Sequence, residues 1–316
     1  MQKDHPSSLL AANHKQRFIK NDVQHIRERA VQVTQMNRLV GNTPLVRLSH
    51  VGIKGASPIY IKLENLNPSG SIRDRYIAEI LQRSSDAGQT MPGDEVALAG
   101  LDDSTLSAAF LAATLELKIH VFIPEGQSHR LLPIAERMGV EVHRVKGCLD
   151  TARKSAVQWS HKSHKRSFID GFRHIAVRDA YRGIADEILL AMHGQRISTF
   201  ITSVSTGSTF REVAPLLRDT HPDLRMAGAV VLDVDIAMLK QSPGDYLEKV
   251  SLKRIWQVRD LIARKEGVLL GPKGAACVAL ALDMQAECKP DEVIVALNPD
   301  AGQRYLGHED TFSFGS

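Results

Sequence analysis

From Gly41 onward, short unbroken apolar runs alternate with longer stretches of helical period, and this constrains the fold more than any other feature of the chain. A strand with one wet face alternates polar and apolar residues. A strand covered by helices on both faces is apolar throughout, as in parallel α/β sheets. The runs at 59–63, 96–99, 119–123, 141–145, 200–204, 227–232 and 293–297 are the expected strands. Between them, the stretch 71–83 sets Ile72, Tyr76 and Ile80 at helical spacing, and 105–115 and 276–286 are rich in Ala and Leu. The chain shows no fixed-period repeat and no low-complexity tract.

Composition narrows the function classes. The 316 residues suggest about two domains. With 43% hydrophobic and 24% charged residues, a wholly disordered or collagen-like chain is excluded. A net charge of +4 with 5% aromatics is a weak footprint for nucleic acid, so no nucleic-acid partner is expected. No run of 18 apolar residues exists, so no membrane span is expected, and the polar N-terminus lacks the features of a secretory signal. A cytoplasmic location is expected. The three cysteines, Cys148, Cys277 and Cys288, are too widely spaced for a disulfide framework or zinc knuckle. Residues 158–167 (QWSHKSHKRS) read as a solvated linker or helix end. His161 and His164 within them lack a neighbouring carboxylate or thiol, so no metal is expected.

Five ordered segments carry a family likeness: GNTPLVRL (41–48), KLENLNPSGSIRDR (62–75), VSTGSTFREV (204–213), EGVLLGPKGAA (266–276) and NPDAGQRYL (298–306). In this order they resemble cysteine synthase (O-acetylserine sulfhydrylase) and its relatives among the fold-type-II pyridoxal-phosphate enzymes, over roughly 39–306. The resemblance implies an α/β fold of two domains, each a parallel sheet flanked by helices, of the tryptophan synthase β-like type. The expected division is an arm at 1–38, a larger domain of 39–49 plus 166–316, and a smaller one of 50–165. It also implies a homodimer with an inter-domain cleft. Relatives hold a C-terminal peptide of serine acetyltransferase in that cleft, so a protein or peptide partner there is a candidate.

In the family a lysine forms a Schiff base with pyridoxal phosphate, whose conjugated ring stabilises a substrate carbanion. A Gly-rich loop at a helix N-terminus holds the phosphate. This chain departs from the pattern around that cofactor. Arg73 stands at the lysine position. Its guanidinium stays protonated, with a pKa above about 12 and a delocalised lone pair, and cannot condense with an aldehyde. The substrate-carboxylate loop becomes Leu101, Asp102, Asp103, Ser104 and Thr105, so two carboxylates stand where a carboxylate docks, and Asp103 replaces the cofactor-touching asparagine. The phosphate loop becomes Ser205, Thr206, Gly207, Ser208 and Thr209. A positive φ at Ser205 or Ser208 would cost about 1 kcal/mol each relative to glycine. Glu212 is expected in the first turn of the next helix, where it weakens an anion site. Ala301 replaces the hydroxyl that bonds the pyridine nitrogen.

The retained residues Asn42, Thr43, Pro44, Asn67, Pro68, Gly302 and Tyr305 read as architecture. The altered ones predict a catalytically silent homologue that binds a partner or small ligand, with no catalytic residue and no cofactor expected. Arg73 is expected to pair with Asp103 or Asp102. The alternative is an enzyme of cysteine- or serine-derived amino-acid metabolism, a transferase or lyase on an O-activated serine, holding pyridoxal phosphate non-covalently. Lys273, in a loop one residue shorter than in relatives, is a candidate substitute amine, and is expected to face solvent.

Overall fold

The computed structural model describes residues 36–126, 130–170, 176–204, 207–231 and 245–307. Nearly all of the expected arm, residues 1–35, lies outside them. A single 3₁₀ turn, Met36–Leu39, leads into the fold. Among the described residues the strands form two sheets. The larger runs β1 (Leu45–Arg47), β2 (Ile59–Leu63), β10 (Glu292–Asn298), β7 (Arg196–Val204), β8 (Arg225–Val230), β9 (Tyr246–Lys249). Only β1 is antiparallel to its neighbour. The smaller runs β5 (Glu141–Val145), β4 (Lys118–Pro124), β3 (Glu95–Ala99), β6 (Arg166–Phe168), parallel throughout.

Helices connect and cover these strands: α1 (Arg73–Asp86), α2 (Asp103–Ala112), α3 (Leu132–Arg137), α4 (Leu149–Ser160), α5 (Ala176–Ala191), α6 (Ser208–Thr220), α7 (Leu252–Glu266) and α8 (Pro272–Met284). Covering on both faces buries every residue of central β10, which explains its apolar run. One core cluster joins the sheets: Tyr76 and Ile77 of α1 and Ile184 of α5 share it with Leu98 of β3 and Phe200 of β7.

Sheet membership differs from the expected domain division in two places. β2, expected in the smaller domain, pairs with β1 and β10 of the larger sheet. β6, expected in the larger domain, pairs with β3 of the smaller sheet. β10 and β3 are remote in sequence from β2 and β6, so nothing local to either strand announces these pairings. The 158–167 stretch supplies the end of α4, an exposed turn holding His161 and His164, and the start of β6. Among the described residues, no helix is long and apolar enough to cross a membrane.

Candidate functional site

Four helices begin at one small cavity. Arg73 opens α1, Asp103 opens α2, Ser208 opens α6, and Lys273 is the second residue of α8. Each helix N-terminus carries the positive end of its dipole, so their convergence favours an anion. Tyr181 from α5, Pro299 and Asp300 are also among the lining residues. The space open to water-sized molecules is about 30 Å3, enough for about a water or two.

The turn after β10 is threaded between two loops. Ile72 N–H donates to Pro299 O at 2.8 Å, Ala301 N–H to Gly70 O at 3.1 Å, and Gly271 N–H to Asp300 O at 3.2 Å. Gly274 lies so close to Asn298 that a Cβ there would collide with the asparagine side chain. The GPKG and NPDAG motifs are therefore held together by backbone proximity that only glycine permits.

Arg73 is half-buried, with its guanidinium carbon 5.6 Å from the centre of the Tyr76 ring and Nη1 donating to Tyr76 Oη at 3.5 Å. Burial opposes its charge, but Tyr76, Tyr181, Asp102 and Asp103 together hold it more firmly protonated than a free arginine. The expected pairing of Arg73 with Asp103 or Asp102 is corrected by the geometry. Asp103 is ion-paired with Arg304 Nη1. Asp102 caps α2, its Oδ1 accepting from Ser104 N–H at 2.8 Å. One of the two adjacent carboxylates thus faces its own helix, and the other is neutralised by a cation from the NPDAGQRYL motif. Burial pushes the Asp103 carboxyl up, yet Arg304, Lys273, Arg130 and Arg73 overcome this and hold it ionised.

The remaining expected site residues take these places. Leu101 is buried in the core, Ser104 Oγ lies 2.5 Å from Tyr76 Oη, and Thr105 Oγ1 donates to Gly100 O at 2.8 Å. Ser205 and Thr206 lie outside the described residues. Gly207 caps α6 in the left-handed region at φ +74°, and Ser208 is helical. The expected strain at Ser208 therefore does not arise. Glu212 lies beyond the first turn of α6, which holds no acidic residue. Thr209 lines the cavity with Tyr181 and Arg73. Ala301, half-buried, contributes backbone only. Lys273, expected to face solvent, is half-buried and lines the cavity.

Sequence reasoning missed Tyr181, Arg304, Asp300 and Glu187. Asp300 is buried: its Oδ2 accepts from Tyr305 Oη, and its Oδ1 has no hydrogen-bond partner. Burial raises its pKa, with Asp103 adding to the rise and Lys273 opposing it. Glu187 of α5 underlies the motif residues. It accepts from Arg75 Nη1 and Nη2 at 2.8 Å each, from Asn42 N–H at 2.9 Å, from Thr43 N–H at 3.2 Å, and from Lys62 Nζ. Glu64 takes the other edge of Arg75, at 2.6 and 2.8 Å. A lone glutamate in an amphipathic helix carries no signal of this role. Arg304 and Asp300 stood inside a quoted motif and were the findable ones.

The chain belongs to the family of pyridoxal-phosphate dependent enzymes, which matches it over residues 36–237. Within it, the chain is similar to the probable cysteine synthase of Bacillus subtilis (strain 168), 29% identical over 307 residues, 87% of this chain and 96% of that one. It is also similar to cysteine synthase B of Escherichia coli (strain K12), 25% identical, with 90% and 99% of the two chains covered. The crystal structure of O-ureido-L-serine synthase shares the fold with a TM-score of 0.81 at 23% identity, over 90% of this chain and 98% of that one. The protein is therefore a cysteine synthase-like member of a family of amino-acid metabolism.

Membership corrects the expectation that no cofactor is bound, because the family is pyridoxal-phosphate dependent. The residues present fit such a group in two respects. The N-terminus of α6 retains its donors at Ser208 and Thr209, and the wall of the cavity carries an unpartnered buried oxygen, Asp300 Oδ1. Two long side chains, Arg73 and Lys273, also line the space.

Proposed function

We propose that this chain is a binding protein of the cysteine synthase type: it holds pyridoxal phosphate without condensing with it, and does not perform cysteine synthesis. The single observation that carries the reading is Arg73 at the head of α1, in the cavity where four helix N-termini meet. When bound, pyridoxal phosphate supplies an aldehyde and a conjugated ring able to accept electrons. The residues here supply the holding and not the condensation. Backbone N–H groups of Ser208 and Thr209 would meet the phosphate, and the Arg73 guanidinium can offer two parallel donors to an anionic oxygen. Permanently protonated, Arg73 neither attacks a carbonyl carbon nor removes a proton. A substrate carboxylate entering beside α2 meets Asp103, whose compensating cation is already engaged by that same carboxylate.

The test is titration of the purified full chain with pyridoxal phosphate, followed by equilibrium dialysis, borohydride reduction and peptide mass spectrometry. Saturable binding with no labelled lysine, and no sulfide-dependent consumption of O-acetylserine, is the expected result. Turnover, or a reduced lysine adduct, overturns it. One observation favours a second reading, that of an enzyme with a relocated amine: Lys273 lines the same cavity. A label on Lys273 alone selects that reading. We also propose the homodimer of the relatives, to be measured by light scattering.

A further inference from the structure

We propose that His120, Glu141 and His143 form a binding site for a divalent cation of the zinc class, remote from the cavity described above. The parallel register of β4 and β5 sets His120 opposite Glu141 and Phe122 opposite His143. Alternate residues of a strand share a face. His120, Glu141 and His143 therefore project together on the face covered by α4, near the beginnings of the two strands. The first cavity lies at the opposite, C-terminal ends of strands.

The donor atoms converge. His120 Nδ1 is 3.0 Å from His143 Nε2 and 3.4 Å from Glu141 Oε2, and all three ligand atoms lie within 4.8 Å of one another. Bonds of about 2.0–2.2 Å in a tetrahedral site place ligand atoms about 3.4 Å apart. In the absence of a cation the arrangement is frustrated. His120 Nδ1 carries at most one proton, so it can donate to the imidazole nitrogen or to the carboxylate, but not to both. If His143 is the donor instead, the Glu141 oxygen faces a lone pair. A cation accepts all three lone pairs at once.

The far side of His120 supports the same assignment. Its Nε2 is buried without a hydrogen-bond partner and faces Glu95 Oε1 at 3.7 Å. Metal on Nδ1 leaves the ring proton on Nε2, toward a carboxylate, the usual orientation of a ligating histidine. His120 is 3% exposed, and its ring centroid lies 4.5 Å from that of Trp159, which packs against its plane. Arg166 engages Glu95 at 2.7 Å, on the side of His120 away from Nδ1. The Glu141 side chain is 61% exposed and gives the ion an entry path from solvent. Two imidazoles and one carboxylate suit zinc, with water completing the shell. Bound there, the ion ties β5, the edge strand of the smaller sheet, to β4.

The experiment uses the full chain stripped with a chelator, then titrated with Zn2+ by calorimetry and with Co2+ by visible absorption. The expected result is one site per chain with tetrahedral Co2+ bands. His143→Asn is expected to abolish it, and Glu95→Gln to weaken it by roughly tenfold or more. The double variant His161→Asn/His164→Asn should bind as the parent does. Absence of the Co2+ bands in the parent overturns the proposal. So does equal Zn2+ affinity in His143→Asn and Glu141→Gln, variants whose retained far-UV circular dichroism is checked alongside.

Discussion

Replacing Glu187 by alanine removes the anion that two buried cations share. Arg75 has a side-chain exposure of 5% and Lys62 of 1%, and Glu187 faces both. Glu64 would remain for Arg75, while Lys62 would keep only Thr43 O, at 2.5 Å, within hydrogen-bond reach. Stripping one partner from a buried pair costs about 3–5 kcal/mol, because the remaining charge stays desolvated. The electrostatics of the Glu187 carboxyl give a second figure. Burial would raise the Glu187 carboxyl, but Arg75 and Lys62 bring it down from 4.5 to about 2. At about 1.36 kcal/mol per pH unit, that displacement is worth about 3 kcal/mol. The sign follows from the depressed value: the stabilisation is complete above pH 4.5 and is lost as pH falls toward 2. Equilibrium urea unfolding at neutral pH should show a lower midpoint at unchanged slope for Glu187→Ala, and the variant's deficit should shrink as pH is lowered through this window. A deficit below about 1 kcal/mol at neutral pH, or one independent of pH across the window, refutes the argument.

Arg73→Lys should create an amine that borohydride traps with pyridoxal phosphate, yet without O-acetylserine turnover, because Asp103 and Ala301 are unchanged; sulfide-dependent cysteine formation is the assay, and activity in this single variant would show the rest of the site intact. Gly274→Ala should lower the thermal midpoint, since the added methyl meets the Asn298 side chain, and overpacking of this kind costs about 1–3 kcal/mol; differential scanning calorimetry reads it, and an unchanged midpoint refutes the steric reading. Iodoacetamide should label Cys148 first. Hydrogen bonds from the Thr151 backbone and side chain lower its thiol pKa at an exposed position, whereas Cys277 is buried and its thiol is pushed up. Mass mapping of the native protein checks this, with early labelling of Cys277 the refuting outcome.

Strands covered on both faces were legible from the amino-acid order alone, because burial on both sides favours a continuous apolar run, as at 293–297 of β10 and 121–123 of β4. The short strands β1, β6 and β9 were not, since they are partly exposed and need no apolar run. Arg73 was readable as the residue replacing a lysine, and its inability to condense with an aldehyde is a property of the side chain itself. Its neighbours belong to the tertiary structure. Arg304, not Arg73, neutralises Asp103, Lys273 turns inward, and Glu187 joins two motif segments, through Arg75 and Lys62 of one and Asn42 of the other. The physical reason is common to all of them. A side chain's chemistry travels with its residue, whereas a charge's partner is chosen by which strands and helices pack together, and no spacing along the chain records that choice. The pairing of His120 with Glu141 across β4 and β5 is the same case, decided by register alone.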